Sequence, residues 1–316
     1  MHKRILNELS ITFRLSPHNA PLLIKSGREG GADPMMLDMN FVRTTHPETG
    51  HPTVYLPGSS LKGTLRAHCE RVARAVRPEG NARWCCDPFD EDSCGQTLGK
   101  KEQTPARYAG SCVACRTFGN TRMSSHMRID DAYPTNADEV KLEQRDGVAI
   151  DRISGAVAAG PFNMEVLTRG DFETTLSLRN YQLWQVGMIA IALRDLSNGL
   201  VAIGSGKSKG FGSVSLKFIK ATVAYPGQTA VLRNLFDFGR NMYDLCAFEF
   251  EQREQYNLVF PKPNYAEFPE EATLAESGQY GRVAVSVIDH ERVQKLLGAT
   301  VNHWAWAVEH WPGGKS

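Results

Sequence analysis

The densest group of metal-binding side chains in this 316-residue sequence is a run of cysteines, because five of the seven lie between positions 85 and 115. The spacing Cys112-Val-Ala-Cys115 lets two thiolates reach one ion from a single turn of chain. Two more ligands close a tetrahedral shell. The candidate ligands are Cys112, Cys115, Cys94 and either Cys85 or Cys86. This set predicts one structural Zn²⁺.

The same cysteines admit other interpretations. His68 or His126 could replace one cysteine as a ligand. A C-x-x-C pair is also typical of thioredoxin-like redox sites, although no predicted strand precedes Cys112. The cysteines could instead be reduced and free of metal. An odd number of cysteines crowded into one segment does not favour a disulfide framework.

The loop Gly204–Gly212, with the sequence GSGKSKGFG, combines backbone amides with two lysines. It contains the end of a P-loop motif, but position 201 is Val and a strand is predicted after the loop, which argues against nucleotide binding. Glycine-rich backbone with lysines suits a bound phosphate. We predict an anion-binding loop, with a mobile surface loop as the competing interpretation.

A second candidate anion site lies at Leu56–Gly63, with the sequence LPGSSLKG, where a helix is predicted to begin. Free amides and the helix dipole favour an anion at a helix start. A serine N-cap explains one of the two hydroxyls, but not the lysine and glycine that follow.

The composition is that of an ordinary globular protein, with 41% hydrophobic and 22% charged residues. It excludes disorder, collagen and coiled coil as overall descriptions. The net charge of +1 conceals an asymmetry: residues 1–80 carry 11 basic and 7 acidic side chains, whereas residues 221–316 carry 8 and 12. Such an asymmetry fits a polyanion-binding face. Neither a transmembrane span nor a signal peptide is predicted, so a cytoplasmic location is expected.

Hydrophobic periodicity predicts strands and helices in the order of a ferredoxin-like βαββαβ sandwich with insertions. The expected strands are Ile5–Leu15, Val54–Leu56, Met127–Tyr133, Phe172–Leu178, Ser213–Ile219 and Arg282–Ile288. The expected helices are Leu61–Val76, Trp184–Leu196, Val231–Cys246 and His290–Leu297. Val140–Thr168 is expected to form a long hairpin or a flexible excursion. Trp304, Trp306 and Trp311 are expected to be packing anchors rather than a base-stacking surface.

Several motifs, taken together and in this order, resemble the RAMP superfamily. They are LPGSSLKGTLR (56–66), CRTFG (115–119), MRIDDAY (127–133), AIDRISGAVAAG with the downstream EVLTRGDFE (149–173), and IGSGKSKGFG (203–212). The resemblance covers roughly residues 5–220 and is greatest for the backbone subunits of type III and type III-derived CRISPR effector complexes. Residues 225–316 match no part of the family pattern.

The resemblance implies an α+β fold, a modified ferredoxin-like (RRM-like) palm over residues 1–224. The palm carries a zinc-knuckle insertion at about 81–120 and a β-hairpin thumb at about 140–170, and residues 225–316 form a C-terminal extension. Copies of such subunits stack along a guide RNA, and each thumb pushes between its bases. The implied partners are guide RNA, target RNA, further copies of the chain and other effector subunits.

The resemblance also implies residues that contact RNA. The implied polar contacts are Arg43, Ser59, Ser60, Lys62, Arg66, Arg152, Gly206, Lys207 and Lys209. The implied apolar wedge of the thumb consists of Ile153, Val157 and Phe162.

Asp38 is the catalytic residue that the resemblance implies. By position alone, a single carboxylate between apolar residues is usually a turn or cap residue. In cleaving members of the family, an aspartate at this place is needed to cut target RNA. The implied chemistry is attack of a 2′-hydroxyl on the adjacent phosphate, assisted by Mg²⁺ or Mn²⁺. Those members usually have a small residue and a proline next, where this chain has Met39 and Asn40.

Three alternatives compete with target cleavage by this chain. The chain could be a scaffold whose complex relies on a partner nuclease. It could be an endoribonuclease that processes the guide precursor, which requires histidine acid–base chemistry. It could also be an unrelated adaptor stabilised by zinc. The histidines near the predicted site are His18, His46 and His51.

Overall fold

The computed structural model describes residues 4–27, 37–77, 84–99, 103–227, 236–248, 254–259, 262–269, 273–277 and 282–311. The strands are β1 Glu8–Pro17, β2 Arg43–Thr45, β3 Pro52–Val54, β4 Met127–Ile129, β5 Tyr133–Pro134, β6 Lys141–Ile150, β7 Val157–Arg169, β8 Phe172–Arg179, β9 Val214–Pro226, β10 Asn241–Tyr243, β11 Tyr265–Glu267, β12 Thr273–Ser277 and β13 Arg282–Ile288. The helices are α1 Gly58–Val76, α2 Cys94–Thr97, α3 Thr104–Gly110, α4 Val113–Phe118, α5 Leu183–Ser197 and α6 His290–His310.

Seven strands form one antiparallel sheet in the order β12-β13-β9-β1-β8-β4, and β5 pairs with the other end of β8. Within it, β9-β1-β8-β4 is the strand order of a ferredoxin-like unit, with α1 between β1 and β4 and α5 between β8 and β9. The predicted α+β ferredoxin-like class is therefore confirmed.

The two faces of the sheet differ because strand side chains alternate. The inward residues of β1 are Leu9, Ile11, Phe13 and Leu15, all buried in the main core. On the opposite face Arg14 pairs with Glu173 (2.8 Å) and Thr12 bonds Thr175 (3.1 Å). Neither β1 nor β8 places an aromatic ring on that face, so the central strands lack the stacking platform of RRM domains.

Helix α1 begins three residues earlier than predicted, at Gly58. The predicted serine N-cap is wrong: the cap position is Pro57, and the Asp131 carboxylate accepts the Gly58 amide (2.7 Å). A β-carbon on Gly58 would lie 2.4 Å from the Ile129 carbonyl oxygen, so only glycine allows this close approach. An internal carboxylate therefore occupies part of the predicted anion site.

Two other predicted elements differ from the structure. Val76, the last apolar residue of the predicted helix Leu61–Val76, is exposed, because the buried stripe of α1 runs through Cys69 and Ala73. Met127–Tyr133 forms two short strands, since the chain leaves the ladder where Asp131 turns toward α1.

The predicted helix Val231–Cys246 is wrong over its described part. Residues 236–247 contain β10 and a short 3₁₀ turn, Leu245–Ala247. The Asp244 side chain caps this turn by accepting the Cys246 amide. Residues 231–235 lie outside the described residues.

The C-terminal residues continue the same sheet and core. Strand β13 pairs with β9 up to Pro226, and α6 lies along α5. Trp304 stacks on Trp84 (5.6 Å between ring centroids), and Trp311 meets Trp184 edge-on (5.3 Å). Trp304 and Trp311 are buried, so these two rings are packing anchors, as predicted.

Buried Asp244 makes stability depend on pH. It accepts the amides of Leu183 at the start of α5 (2.6 Å) and of Cys246 (2.8 Å). Burial raises the pKa of its carboxyl to about 6, whereas an unfolded aspartate titrates near about 3.9. Between these values the folded chain keeps a proton that the unfolded chain has lost. The stabilising contribution of protonated Asp244 to the free energy of unfolding is therefore complete below about pH 4 and is lost as pH rises through about 6.

Asp244→Asn should remove this linkage. Between pH 4 and pH 7, we expect the free energy of unfolding of the wild type to fall by about 3 kcal/mol relative to the variant, at about 1.4 kcal/mol per pKa unit. Urea unfolding at several pH values measures the difference in the free energy of unfolding between the two proteins. The contributions of the other carboxylates are common to both and cancel. Exposed Asp237 provides the control Asp237→Asn, which should follow the wild type. Parallel curves for wild type and Asp244→Asn would refute the assignment.

Candidate metal centre and RNA-binding surface

Four cysteine sulfurs converge beside α1 and α4. The Sγ atoms of Cys86, Cys94, Cys112 and Cys115 lie within 4.8 Å of one another, and all four residues are buried. Cys86 Sγ is 3.6 Å from Cys112 Sγ and 3.8 Å from Cys115 Sγ. A tetrahedral ion with metal–sulfur bonds of about 2.3 Å separates its ligands by about 3.8 Å. The four sulfurs can therefore hold one metal ion such as zinc, and no other such group occurs among the described residues.

Short helices hold these sulfurs in place. Cys112 caps α4, with its sulfur accepting the Cys115 amide (3.5 Å), and Cys94 Sγ accepts the Cys112 amide (3.2 Å). The pKa of the Cys112 thiol lies well below its ordinary value, chiefly because Cys115 hydrogen-bonds to it. The fold thus favours a thiolate, the form that binds metal, at Cys112, while the same hydrogen bonds raise the pKa of Cys94 and Cys115.

The structure shows which of the alternative candidate ligands lie in the cluster. Cys85 lies outside the four-sulfur group, although its side chain also contacts Cys112. It donates to the Glu70 carbonyl oxygen (3.7 Å), and Cys86 supplies the fourth sulfur. His68 Nε2 instead lies 2.8 Å from Asp195 Oδ2. His126 Nδ1 lies 2.7 Å from the carbonyl oxygen of Arg179, and neither histidine belongs to the cluster.

A cavity of about 550 Å³ opens next to the cluster and is lined by Lys62, Arg66, Cys86 and Cys115 among others. Lys62 Nζ donates to the Met127 carbonyl oxygen (3.1 Å). Burial and the neighbouring Arg66 charge lower the pKa of Lys62. Both cations that were predicted to contact RNA from α1 therefore border the cysteine region.

At the start of α1, Ser59 is exposed and Ser60 is half-buried. In the described part of the chain, neither their amides nor their hydroxyls have a hydrogen-bond partner. Unpaired donors at a helix start can bind an anion.

The glycine-rich loop 204–212 is compact. Five of its amides donate to backbone carbonyls: those of Ser205, Lys209, Gly210, Phe211 and Gly212. Gly204 has a positive φ, and a β-carbon there would lie 2.3 Å from the Leu23 carbonyl oxygen. The amides of Gly206, Lys207 and Ser208 have no partner among the described residues, which leaves a short nest of donors.

Strands β6 and β7 form a hairpin that leaves the core. Its base is buried through Met164, Val166 and Leu167, while most side chains between Arg145 and Phe162 are exposed. Its exposed apolar residues are Val148, Ile150, Ile153, Val157 and Phe162. Ile153 at the tip is 98% exposed.

The base of the hairpin meets the glycine-rich loop. The Arg145 guanidinium lies 6.0 Å from the centre of the Phe211 ring, and Lys209 Nζ lies beside Gly147. Within the described ranges, Lys207 and Lys209 have neither an ion pair nor a hydrogen bond to their ammonium groups. The same holds for the Arg152 guanidinium at the hairpin tip. Arg145 was not predicted as a site residue, since one basic residue in an alternating strand gives no specific signal.

Asp38 is exposed and lies against the hairpin. Its Oδ2 accepts the Asn163 amide (2.9 Å), and Met39 exchanges backbone hydrogen bonds with Asn163 and Glu165 (3.1 and 2.9 Å). The segment that carries Asp38 thus lines up beside β7. No described His, Cys, Asp or Glu joins Asp38 in a group of three potential metal ligands.

Glu165 fixes this segment to β7 and was not predicted from the sequence. It forms a bidentate pair with Arg43 (2.6 and 2.7 Å) and accepts the Phe41 amide (3.0 Å). The hydrogen bond from Arg43 lowers the pKa of Glu165, and the same bond raises the pKa of Arg43. Arg43, a predicted RNA contact, is therefore paired within the chain.

Among the histidines of the processing alternative, His18 lies apart, whereas the His51 carbonyl oxygen accepts the His46 amide (2.8 Å). His18 Nε2 lies 3.0 Å from the side-chain amide of Asn19. His46 Nδ1 accepts the amides of Glu48 and Thr49, and its ring meets Tyr133 edge-on (5.0 Å).

Fold and site define a ferredoxin-like protein with an outward hairpin, an adjoining lysine-bearing glycine loop and a four-cysteine centre. The family model of the RAMP superfamily matches residues 21–215, and the chain belongs to that superfamily. Membership indicates a CRISPR-associated RNA-binding role. None of the curated proteins compared with the chain matches it. Within the described ranges, no helix combines the length and apolarity needed to span a bilayer.

Proposed function

We propose that this chain is a repeating backbone subunit of a CRISPR effector complex, which binds guide RNA and positions complementary target RNA. The hairpin β6–β7 carries the proposal. A two-stranded hairpin without a third strand is marginally stable alone, yet this one presents five apolar side chains to solvent. Nucleobases stack through apolar faces, and apolar side chains can insert between two neighbouring bases. Ile153, Val157 and Phe162 therefore act as the wedge.

The donors beside the hairpin suit the phosphates of the same strand. Lys209 adjoins the hairpin base, and the same loop carries Lys207 and the free amides. Ser59 and Ser60 offer a second set of donors at the start of α1. Contacts to phosphate position an RNA without reading its sequence, and target choice is then left to base pairing.

We further propose that the four-cysteine centre binds one structural zinc and that Asp38 cuts the target with Mg²⁺ or Mn²⁺. With four protein ligands, the zinc would have no open coordination position for a substrate. Its role would be to hold the segment between α1 and α4. For Asp38 the support is its exposure and its fixed position beside the hairpin. Further ligands for the cleavage metal would come from RNA phosphates.

Lys207→Gln combined with Lys209→Gln should weaken guide binding equally for all sequences. We expect the slope of log K against log salt to become shallower by about 0.7 for each phosphate of the single strand that is no longer neutralised. Filter binding of unrelated RNAs of equal length, at several salt concentrations, measures this.

Lys217 and Lys220 provide the matched control, because both are exposed on β9 and their replacement by Gln removes the same charge. That double variant should keep the wild-type slope. An unchanged slope for Lys207→Gln with Lys209→Gln, or weaker binding confined to some sequences, would contradict the proposal. Cleavage of guide precursor by the isolated chain would instead support the processing alternative.

A further inference from the structure

We propose that Arg66 is a positioning residue of the metal centre, which neutralises and orients the thiolate of Cys115, rather than an RNA contact. The inference rests on the proposed zinc site. Arg66 Nη2 lies 3.8 Å from Cys115 Sγ, and Nη1 donates to the Gly119 carbonyl oxygen (3.1 Å), just after α4. Its Nε donates to Glu70 Oε1 (2.8 Å). All three nitrogens of the guanidinium thus have partners within the chain.

Charge balance gives the first reason for this role. One Zn²⁺ with four thiolates carries a net charge of −2, and burying it requires nearby positive charge. Arg116 is 1% exposed, donates only to carbonyl oxygens, and has no carboxylate partner among the described residues. Arg74 donates to the Cys86 carbonyl oxygen (2.8 Å) and shares Glu70 with Arg66.

The charge of the centre offsets most of the positive charge around it. The three guanidinium groups of Arg66, Arg74 and Arg116 and the Lys62 ammonium of the same cavity carry +4, while Glu70 carries −1. The dianionic centre supplies −2 of the −3 that would balance them. Of the three guanidinium groups, only that of Arg66 lies within hydrogen-bonding distance of a ligand sulfur.

Geometry gives the second reason. The Cys112 and Cys115 amides already donate to ligand sulfurs, and Arg66 adds a charged donor from a separate element, α1. Groups that hydrogen-bond to metal ligands typically contribute about 10–100-fold to metal affinity. Arg66 therefore links zinc to the position of α1, whose start carries the proposed phosphate donors.

The test compares Arg66→Gln with Arg14→Gln in the full-length chain. Arg14 also forms a 2.8 Å pair with a glutamate, Glu173, but it lies on the polar face of the sheet. We expect Arg66→Gln to raise the zinc dissociation constant about 10–100-fold in competition with a chelator. The thiolate-to-metal charge-transfer bands of the Co²⁺-substituted protein should also shift. Arg14→Gln should leave both readouts unchanged.

Each outcome bears on a different claim. A wild-type chain that binds no zinc overturns the metal site and this inference together. Equal zinc affinity in Arg66→Gln and Arg14→Gln overturns the role of Arg66 alone, as does a shallower RNA salt slope in Arg66→Gln. Should Arg66→Gln not fold, Arg66→Lys keeps the charge but removes the forked hydrogen bonds. Arg66→Lys should then bind zinc more weakly than wild type, and wild-type affinity would overturn the inference.

Discussion

Cys112→Ser should abolish stoichiometric zinc binding and lower the melting temperature by about 6 °C. Cys112 is fully buried, contacts Cys86 in the cluster and caps α4. A ligand present at about 1,000 times its Kd stabilises the folded chain by about 4 kcal/mol, which corresponds to about 6 °C in a protein of this size. Metal analysis of the purified wild type should give about one zinc per chain.

The neighbouring cysteines make a sharp control. Cys86→Ser should behave like Cys112→Ser, because both residues contribute to the four-sulfur cluster. Cys85→Ser should retain one zinc, because Cys85 lies outside the four-sulfur cluster. A metal-free wild type that folds normally would exclude the zinc site. Zinc loss in Cys85→Ser with retention in Cys86→Ser would reverse the ligand assignment.

Asp38→Ala should slow target cleavage by the assembled complex about 1,000-fold while leaving target binding intact. Metal-assisted attack gains several kcal/mol from a correctly held ion, and about 4 kcal/mol corresponds to this factor. The assay uses labelled target RNA with Mg²⁺ or Mn²⁺, and EDTA as the metal-free control. Cuts by the wild type should recur at the spacing of the subunits.

A second substitution separates the charge of Asp38 from its structural contact. Asp38 Oδ2 accepts the Asn163 amide, and asparagine can keep that acceptor while removing the negative charge. Asp38→Asn should therefore be as inactive as Asp38→Ala. Full activity in Asp38→Asn would place the reactive group elsewhere, with His18 as the next candidate. A wild-type complex that leaves the target whole without any partner nuclease would make the chain a scaffold.

Elements with strong local periodicity were the most predictable. The expected strand Phe172–Leu178 lies within β8, and the expected helix Trp184–Leu196 lies within α5. Both bury almost every inward position, so the local pattern and the tertiary environment agree. The pattern failed at Val231–Cys246, where Asp244 leaves the helical pattern to bond the start of α5.

Contacts between distant residues were not predictable. Arg43 and Glu165 are 122 positions apart, and Gly58 and Asp131 are 73 apart. No local pattern encodes such a pair, because a charged residue on the surface has the same sequence signal whether it is paired or free.

The sequence by itself determined the alternating strands and helices and the class of metal ligand, because these depend on spacings of two to four residues along the chain. Only the tertiary structure decided which sulfur completes the centre, where Arg66 is directed and what holds Asp38. Cys85 and Cys86 are adjacent, so their spacing cannot distinguish them, but of the two only Cys86 joins the four-sulfur group. The position of Asp38 likewise follows from the pairing of its segment with β7, whose buried residues Met164 and Val166 pack against Leu23.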